Sequence, residues 1–305
     1  MLAIAGMAVI AALPWLLEAR RGRADPVALA DADGGFVVLG RGATYFRWHG
    51  AGQGPVLVLV HGLSTPSWVF TGLTRGLTML GFRVLSYDLY GRGLSARPKV
   101  THDRALFINQ LVELLDSQGI KTPVTLLGYS MGGAISTVFA AAFPERVERL
   151  ILLAPAGIEY HPAPFLARAA RSGRFGDWLW GVLGAQLIRQ GAIADAKRPN
   201  AIPDLAQRIA RETATKGYLR AILSSERNML AEKLEPEHRT LASTGMPVMA
   251  IWGETDTTIP LSSMGKLTQW NRNAYQFVVP KADHALGYMR PQEVLAAVKE
   301  HLREV

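Results

Sequence analysis

The chain has 305 residues, 49% of them hydrophobic, enough apolar material for a large folded core and too much for a disordered tail. It contains no cysteine, which excludes disulfides, thiolate metal sites and a cysteine nucleophile. The formal net charge of +8 comes with no zinc-finger, homeodomain or RNA-binding signature, so nucleic acid is not an expected partner and an anionic membrane is the better use for that charge.

Residues 1–17 carry no charge, include Pro14 and Trp15, and are followed by Glu18, Arg20, Arg21 and Arg23. The run falls a little short of the roughly 20 apolar residues that cross a bilayer as a straight helix. No basic residue precedes it and no clean cleavage site follows it, which counts against a secretory signal. Residues 1–23 are therefore expected to form a membrane anchor or interfacial helix. A helix packed on the body or on a partner subunit, and an export signal, are the alternatives. If the segment spans, the basic cluster on its C-terminal side puts the folded body in the cytoplasm.

Residues 24–35 are small and polar and read as a linker. Strands are expected at 36–39 and 44–48 around Gly40-Arg41-Gly42, a hairpin-like start. Residues 55–60, Pro-Val-Leu-Val-Leu-Val, are too apolar for a strand with a wet face and read as a central parallel strand covered on both sides. Further strands are expected at 83–87, 124–127, 150–153, 248–252 and 275–279, with helices near 67–80, 104–118, 133–142 and from about 291. The alternation predicts an α/β fold: an eight-stranded, mostly parallel sheet whose functional groups lie beyond the C-terminal ends of the strands.

Between Gly157 and Thr244 the rhythm stops. No persuasive strand occurs there, and residues 161–240 hold 13 Lys and Arg against 8 Asp and Glu. This stretch is expected to be a helical lid, residues 157–244, inserted into a core formed by residues 24–156 and 245–305. Its aromatic residues Phe165, Phe175, Trp178 and Trp180, with Ser64 and Tyr129 from the core, are the candidate walls of a substrate pocket.

Gly128-Tyr129-Ser130-Met131-Gly132 is a G-x-S-x-G stretch between an apolar strand and a helix, the context that a nucleophile elbow requires. A serine hydroxyl is protonated at neutral pH, so it needs a base within reach and an acid to orient that base. Asp256 and His284 supply both, each just beyond a predicted strand and in the order serine, acid, histidine. Glu254 and Asp283 are the nearby rivals for the acid. The backbone N–H groups of Met131 and of Leu63, in His61-Gly62-Leu63-Ser64, are the expected oxyanion donors. His61 reads as a structural histidine that holds this loop.

These motifs, together with Tyr87-Asp88-Leu89-Tyr90-Gly91-Arg92-Gly93-Leu94-Ser95 and Pro260, resemble the alpha/beta-hydrolase superfamily over residues from about 36 to 300. The resemblance implies a serine esterase or lipase that works through an acyl-enzyme without a metal or organic cofactor, on small or lipid-like esters. It also implies that Asp88 is structural. A C–C bond hydrolase, amidase or acyltransferase using the same three residues is the alternative, with a non-catalytic binding protein third. Leu63-Ser64-Thr65-Pro66 departs from the loop of C–C hydrolases, from the HGGPG of prolyl aminopeptidases and from the HGxxEH of monoacylglycerol lipases. Ser130 stands where epoxide hydrolases and haloalkane dehalogenases have aspartate, and Asp283 replaces the glycine that usually precedes the histidine.

Overall fold

The computed structural model describes residues 2–23, 33–50 and 53–304, so most of the expected linker at 24–35 lies outside the described residues. Eight strands form one sheet: β1 (Gly35–Leu39), β2 (Gly42–His49), β3 (Val56–Val60), β4 (Arg83–Tyr87), β5 (Val124–Tyr129), β6 (Val147–Leu153), β7 (Val248–Gly253) and β8 (Tyr275–Val279). Their spatial order is β1-β2-β4-β3-β5-β6-β7-β8. β1 and β2 form the expected hairpin, β2 runs antiparallel to β4, and every other pairing is parallel. β3, β5 and β7 are buried along their whole length, because their apolar side chains are covered by helices on both faces of the sheet.

The chain opens with α1 (Leu2–Arg20), and the core helices before the insert are α2 (Thr71–Met79), α3 (Arg104–Ser117) and α4 (Met131–Ala142). Asp103 starts α3 by accepting the Leu106 N–H, a side-chain N-cap. Between β6 and β7 the chain makes α5 (Pro164–Arg171), α6 (Gly173–Ala196), α7 (Leu205–Ala214), α8 (Tyr218–Arg227) and α9 (Glu235–Ser243). α5, α6 and α8 have an apolar centre of their own, built on Leu166, Trp180, Tyr218 and Ile222, while Leu205 and Ile209 of α7 and Leu241 of α9 join the main core. The chain then closes with α10 (Ser262–Trp270), α11 (Leu286–Met289) and α12 (Pro291–Glu304).

Among the described residues no helix is long and apolar enough to cross a membrane. α1 instead lies on the inserted helices. The Trp178 indole N–H donates to the Ile10 carbonyl at 2.9 Å, Glu18 accepts the Gly217 N–H at 2.6 Å, and Gly22 bridges to Thr215. Pro14 sits so close to Gly181 that a Cβ there would be 2.7 Å from it.

Candidate active site

β5 delivers Ser130 to the start of α4 with φ 55° and ψ −117°, a conformation that few residues other than glycine hold without strain. Close packing enforces it. A Cβ at Gly128 would sit 2.4 Å from the Gly132 carbonyl oxygen, and one at Gly132 would sit 1.9 Å from that of Val60. Both glycines of the motif are therefore required by backbone approach, and the turn lifts the Ser130 hydroxyl above the strand ends.

The loops after β7 and β8 bring the other two residues to it. His284 Nε2 is 3.0 Å from Ser130 Oγ, and His284 Nδ1 is 2.8 Å from Asp256 Oδ2. Asp256 Oδ1 accepts the N–H groups of Thr258 and Ile259, each at 2.8 Å, which fixes a side chain that has no exposed surface. With its Nδ1 proton donated to Asp256, His284 presents an unprotonated Nε2 to the serine hydroxyl. The rival carboxylates point elsewhere. Glu254 accepts the Lys281 N–H at 2.7 Å, and Asp283 pairs with Arg198 at 2.7 Å while capping the Ala285 N–H.

Opposite the serine, Gly62 approaches so closely that a Cβ on it would be 3.3 Å from the Ser130 Cβ. His61 holds this loop: its Nε2 accepts the Leu89 N–H at 2.8 Å, and its Nδ1 donates to the Gly62 carbonyl at 2.9 Å. Full burial drives the His61 pKa down to about 3, so the ring is neutral and both nitrogens are occupied in structure. Asp88 accepts the Ser67 and Leu94 N–H groups in a buried corner, where desolvation raises its pKa. Met131, one residue past the serine, opens α4 with its N–H at the positive end of the helix.

A cavity of about 430 Å³ opens over Ser130 and His284. From the core it is lined by Leu63, Ser64, Tyr129, Thr258 and Tyr288, and from the inserted helices and their approaches by Tyr160, Leu166, Asp195 and Leu230. Ser64 and Tyr129 are thus at the cavity as expected. Phe165, Phe175, Trp178 and Trp180, the four expected from the insert, are not among its lining. Phe165 packs on Trp180, which is itself buried with its indole N–H on the Leu219 carbonyl. Phe175 is 64% exposed and stacks on Trp178, on the side of the insert that meets α1. Tyr160, Asp195 and Tyr288 escaped sequence reasoning because they reach the site only through the tertiary placement of the insert and of α11.

A family model described as alpha/beta hydrolase fold matches residues 55–291. The chain belongs to the alpha/beta hydrolase family. A Mycobacterium tuberculosis protein of uncharacterised role is 28% identical over 225 residues, a match that covers 69% of this chain and 64% of that protein. A 2-hydroxymuconate semialdehyde hydrolase from a Pseudomonas species is 25% identical over 77% of this chain and 82% of its own. A pimeloyl-acyl-carrier-protein methyl ester esterase from Aeromonas hydrophila is 28% identical over 81% of this chain and 95% of its own. Within this alpha/beta hydrolase, the similarity therefore extends to relatives that cleave different bonds, and the choice between them rests on the site itself.

Proposed function

We propose that this protein is a carboxylic-ester hydrolase that uses Ser130, His284 and Asp256 through an acyl-enzyme. The observation that carries the reading is the unbroken hydrogen-bond line from Ser130 Oγ through His284 to Asp256 at the floor of an open cavity. Ser130 attacks the ester carbonyl while His284 Nε2 takes its proton, and the Leu63 and Met131 N–H groups hold the oxyanion. The protonated His284 then gives its proton to the departing alcohol. Water, activated by the same nitrogen, attacks the acyl-enzyme and releases the acid. Asp256 keeps the imidazole oriented and stabilises its charged form throughout. The insert acts as the lid, with Leu166 of α5, Asp195 of α6 and Leu230 of the turn after α8 forming the wall that faces the bound ester.

The cavity lining favours this reading over cleavage of a free keto acid. Its carboxylates, Asp195 and Asp283, both pair with Arg198, at 3.4 and 2.7 Å, and no Lys or Arg lines it among the described residues. With Arg198 shared between two carboxylates, the lining offers no free cation to an anionic substrate among the described residues, whereas a neutral ester needs none.

Hydrolysis of p-nitrophenyl esters from acetate to palmitate, with Ser130→Ala as the control, tests the proposal. Short and medium chains are expected to be hydrolysed, and the variant is expected to lose about four to six orders of magnitude in kcat. Serine labelling by a fluorophosphonate without turnover of any ester would overturn it.

A further inference from the structure

Among the described residues, most of the exposed large apolar side chains lie on two helices packed against each other, α1 and α6, with Phe36, Val38 and Met79 elsewhere. On α1, Met7, Ile10 and Trp15 are 63%, 59% and 70% exposed, and Leu16 stands beside them. On α6, Phe175 is 64% exposed and stacks on Trp178, beside α1. Single exposed apolar side chains are ordinary, but a concentration of this kind marks a surface that is covered in use.

What covers it follows from where the charges lie. Trp178 touches Ile10 and Gly181 touches Pro14, so the two helices run past each other in the same direction. Arg171 and Arg174, just before Trp178 in the chain, are exposed and therefore lie towards the apolar N-terminal half of α1. Arg20 and Arg23 are exposed at the opposite end. An α1 that crossed a bilayer would carry the Arg174 guanidinium towards the hydrocarbon, where an unpaired charge is strongly disfavoured. Lying flat, α1 sinks its exposed apolar side chains among acyl chains, while arginines at both ends meet phosphate headgroups. Trp15 suits that depth, because its ring is apolar and its N–H is not.

We propose that the α1–α6 face docks the protein onto an anionic lipid surface, with α1 lying in the plane of the interface. This goes beyond the ester-hydrolase reading and does not depend on it. The two meet in α6, which holds α1 through Trp178 near one end and places Asp195 at the cavity near the other.

Flotation of the full chain with phosphatidylcholine vesicles, with and without phosphatidylglycerol, tests the proposal. Binding is expected to require the anionic lipid and to weaken with salt. Trp15→Glu with Leu16→Glu, and separately Arg171→Glu with Arg174→Glu, are each expected to reduce partitioning by about tenfold or more, with an unchanged melting temperature. Three results would overturn it: no flotation with either vesicle; flotation that both double variants retain; or resistance to alkaline extraction, the mark of a spanning helix. A lipid-free dimer that Trp15→Glu with Leu16→Glu dissociates, alongside unaltered flotation, would assign the face to a second copy instead. Hydrolysis of a soluble p-nitrophenyl ester is read in the same samples, so a failure of docking stays distinct from a failure of the catalytic proposal.

Discussion

Tyr129 fills the variable position before the serine in the G-x-S-x-G stretch, and its hydroxyl donates to the carbonyl oxygen of His284. Its ring stands 5.7 Å from the imidazole. The side chain therefore positions the base as well as lining the cavity. Tyr129→Phe keeps the ring and removes one hydrogen bond, worth about 1 kcal/mol, so kcat is expected to fall about fivefold with KM little changed. Ester kinetics on the variant decide it: an unchanged kcat, or an effect confined to KM, would assign the hydroxyl no part in holding His284. Ser130, Asp256 and His284 were legible from sequence because each follows a strongly apolar strand within a few residues and each is a residue type that the chemistry demands. The role of Tyr129 was not, because nothing in the pentapeptide says that the residue beside the nucleophile reaches a loop 155 positions away.

At the scale of elements, the insert and the loop after β3 are joined through Arg92. This fully buried side chain donates from Nε to the Leu63 carbonyl at 2.9 Å, from Nη1 to that of Tyr90 at 3.0 Å, and from Nη2 to Ser225 Oγ on α8 at 2.7 Å. Burial lowers its pKa to about 10, which still leaves it charged at neutral pH. Tyr218, also on α8, donates to the Ser64 carbonyl at 2.7 Å. The insert thereby fixes the segment that carries Leu63, the proposed oxyanion donor. Arg92→Ala strands three acceptors and is expected to cost about 3 kcal/mol or more of stability and to lower kcat in the molecules that remain folded. Ser225→Ala removes only the far contact, so about 1 kcal/mol is lost while kcat is retained. Urea unfolding and ester kinetics on both variants separate a positioning effect from a merely structural one. The strands were legible because a buried parallel strand needs apolar residues on both faces, a pattern that few loops imitate. β6 begins at Val147, ahead of the expected 150, because Glu148 and Arg149 interrupt the apolar pattern at its exposed end. The direction in which each insert helix faces was not legible: Trp180 turns inward while Phe175 and Trp178 turn towards α1.

Across the whole molecule, buried ionisable groups pull stability in opposite directions as pH changes. His238 on α9 is completely buried, stacks on Trp270, and has no hydrogen-bond partner on either ring nitrogen. Burial lowers its pKa from 6.5 to about 4, so the fold favours the neutral ring. Its contribution is intact above pH 6.5, shrinks as pH falls, and is fully lost below about pH 4, where folded and unfolded chains both bind the proton. Glu212 on α7 behaves in the opposite sense. It accepts the Gly93 N–H and lies 3.5 Å from Arg97, yet desolvation outweighs both and raises its pKa from 4.5 to about 7. The fold favours its protonated form, so the wild type loses stability as pH rises from 4.5 to about 7. Neither replacement, His238→Phe or Glu212→Gln, titrates in this range. Relative to wild type, His238→Phe is expected to gain stability as pH falls below 6.5, by about 1.4 kcal/mol per pH unit at most. Glu212→Gln is expected to gain relative to wild type as pH rises towards 7, on top of a constant loss from its weakened contacts with Gly93 and Arg97. Urea unfolding of the three proteins across this range gives two difference curves of opposite slope. Parallel or flat curves would show that water reaches these side chains and that the seams around α7 and α9 are not closed.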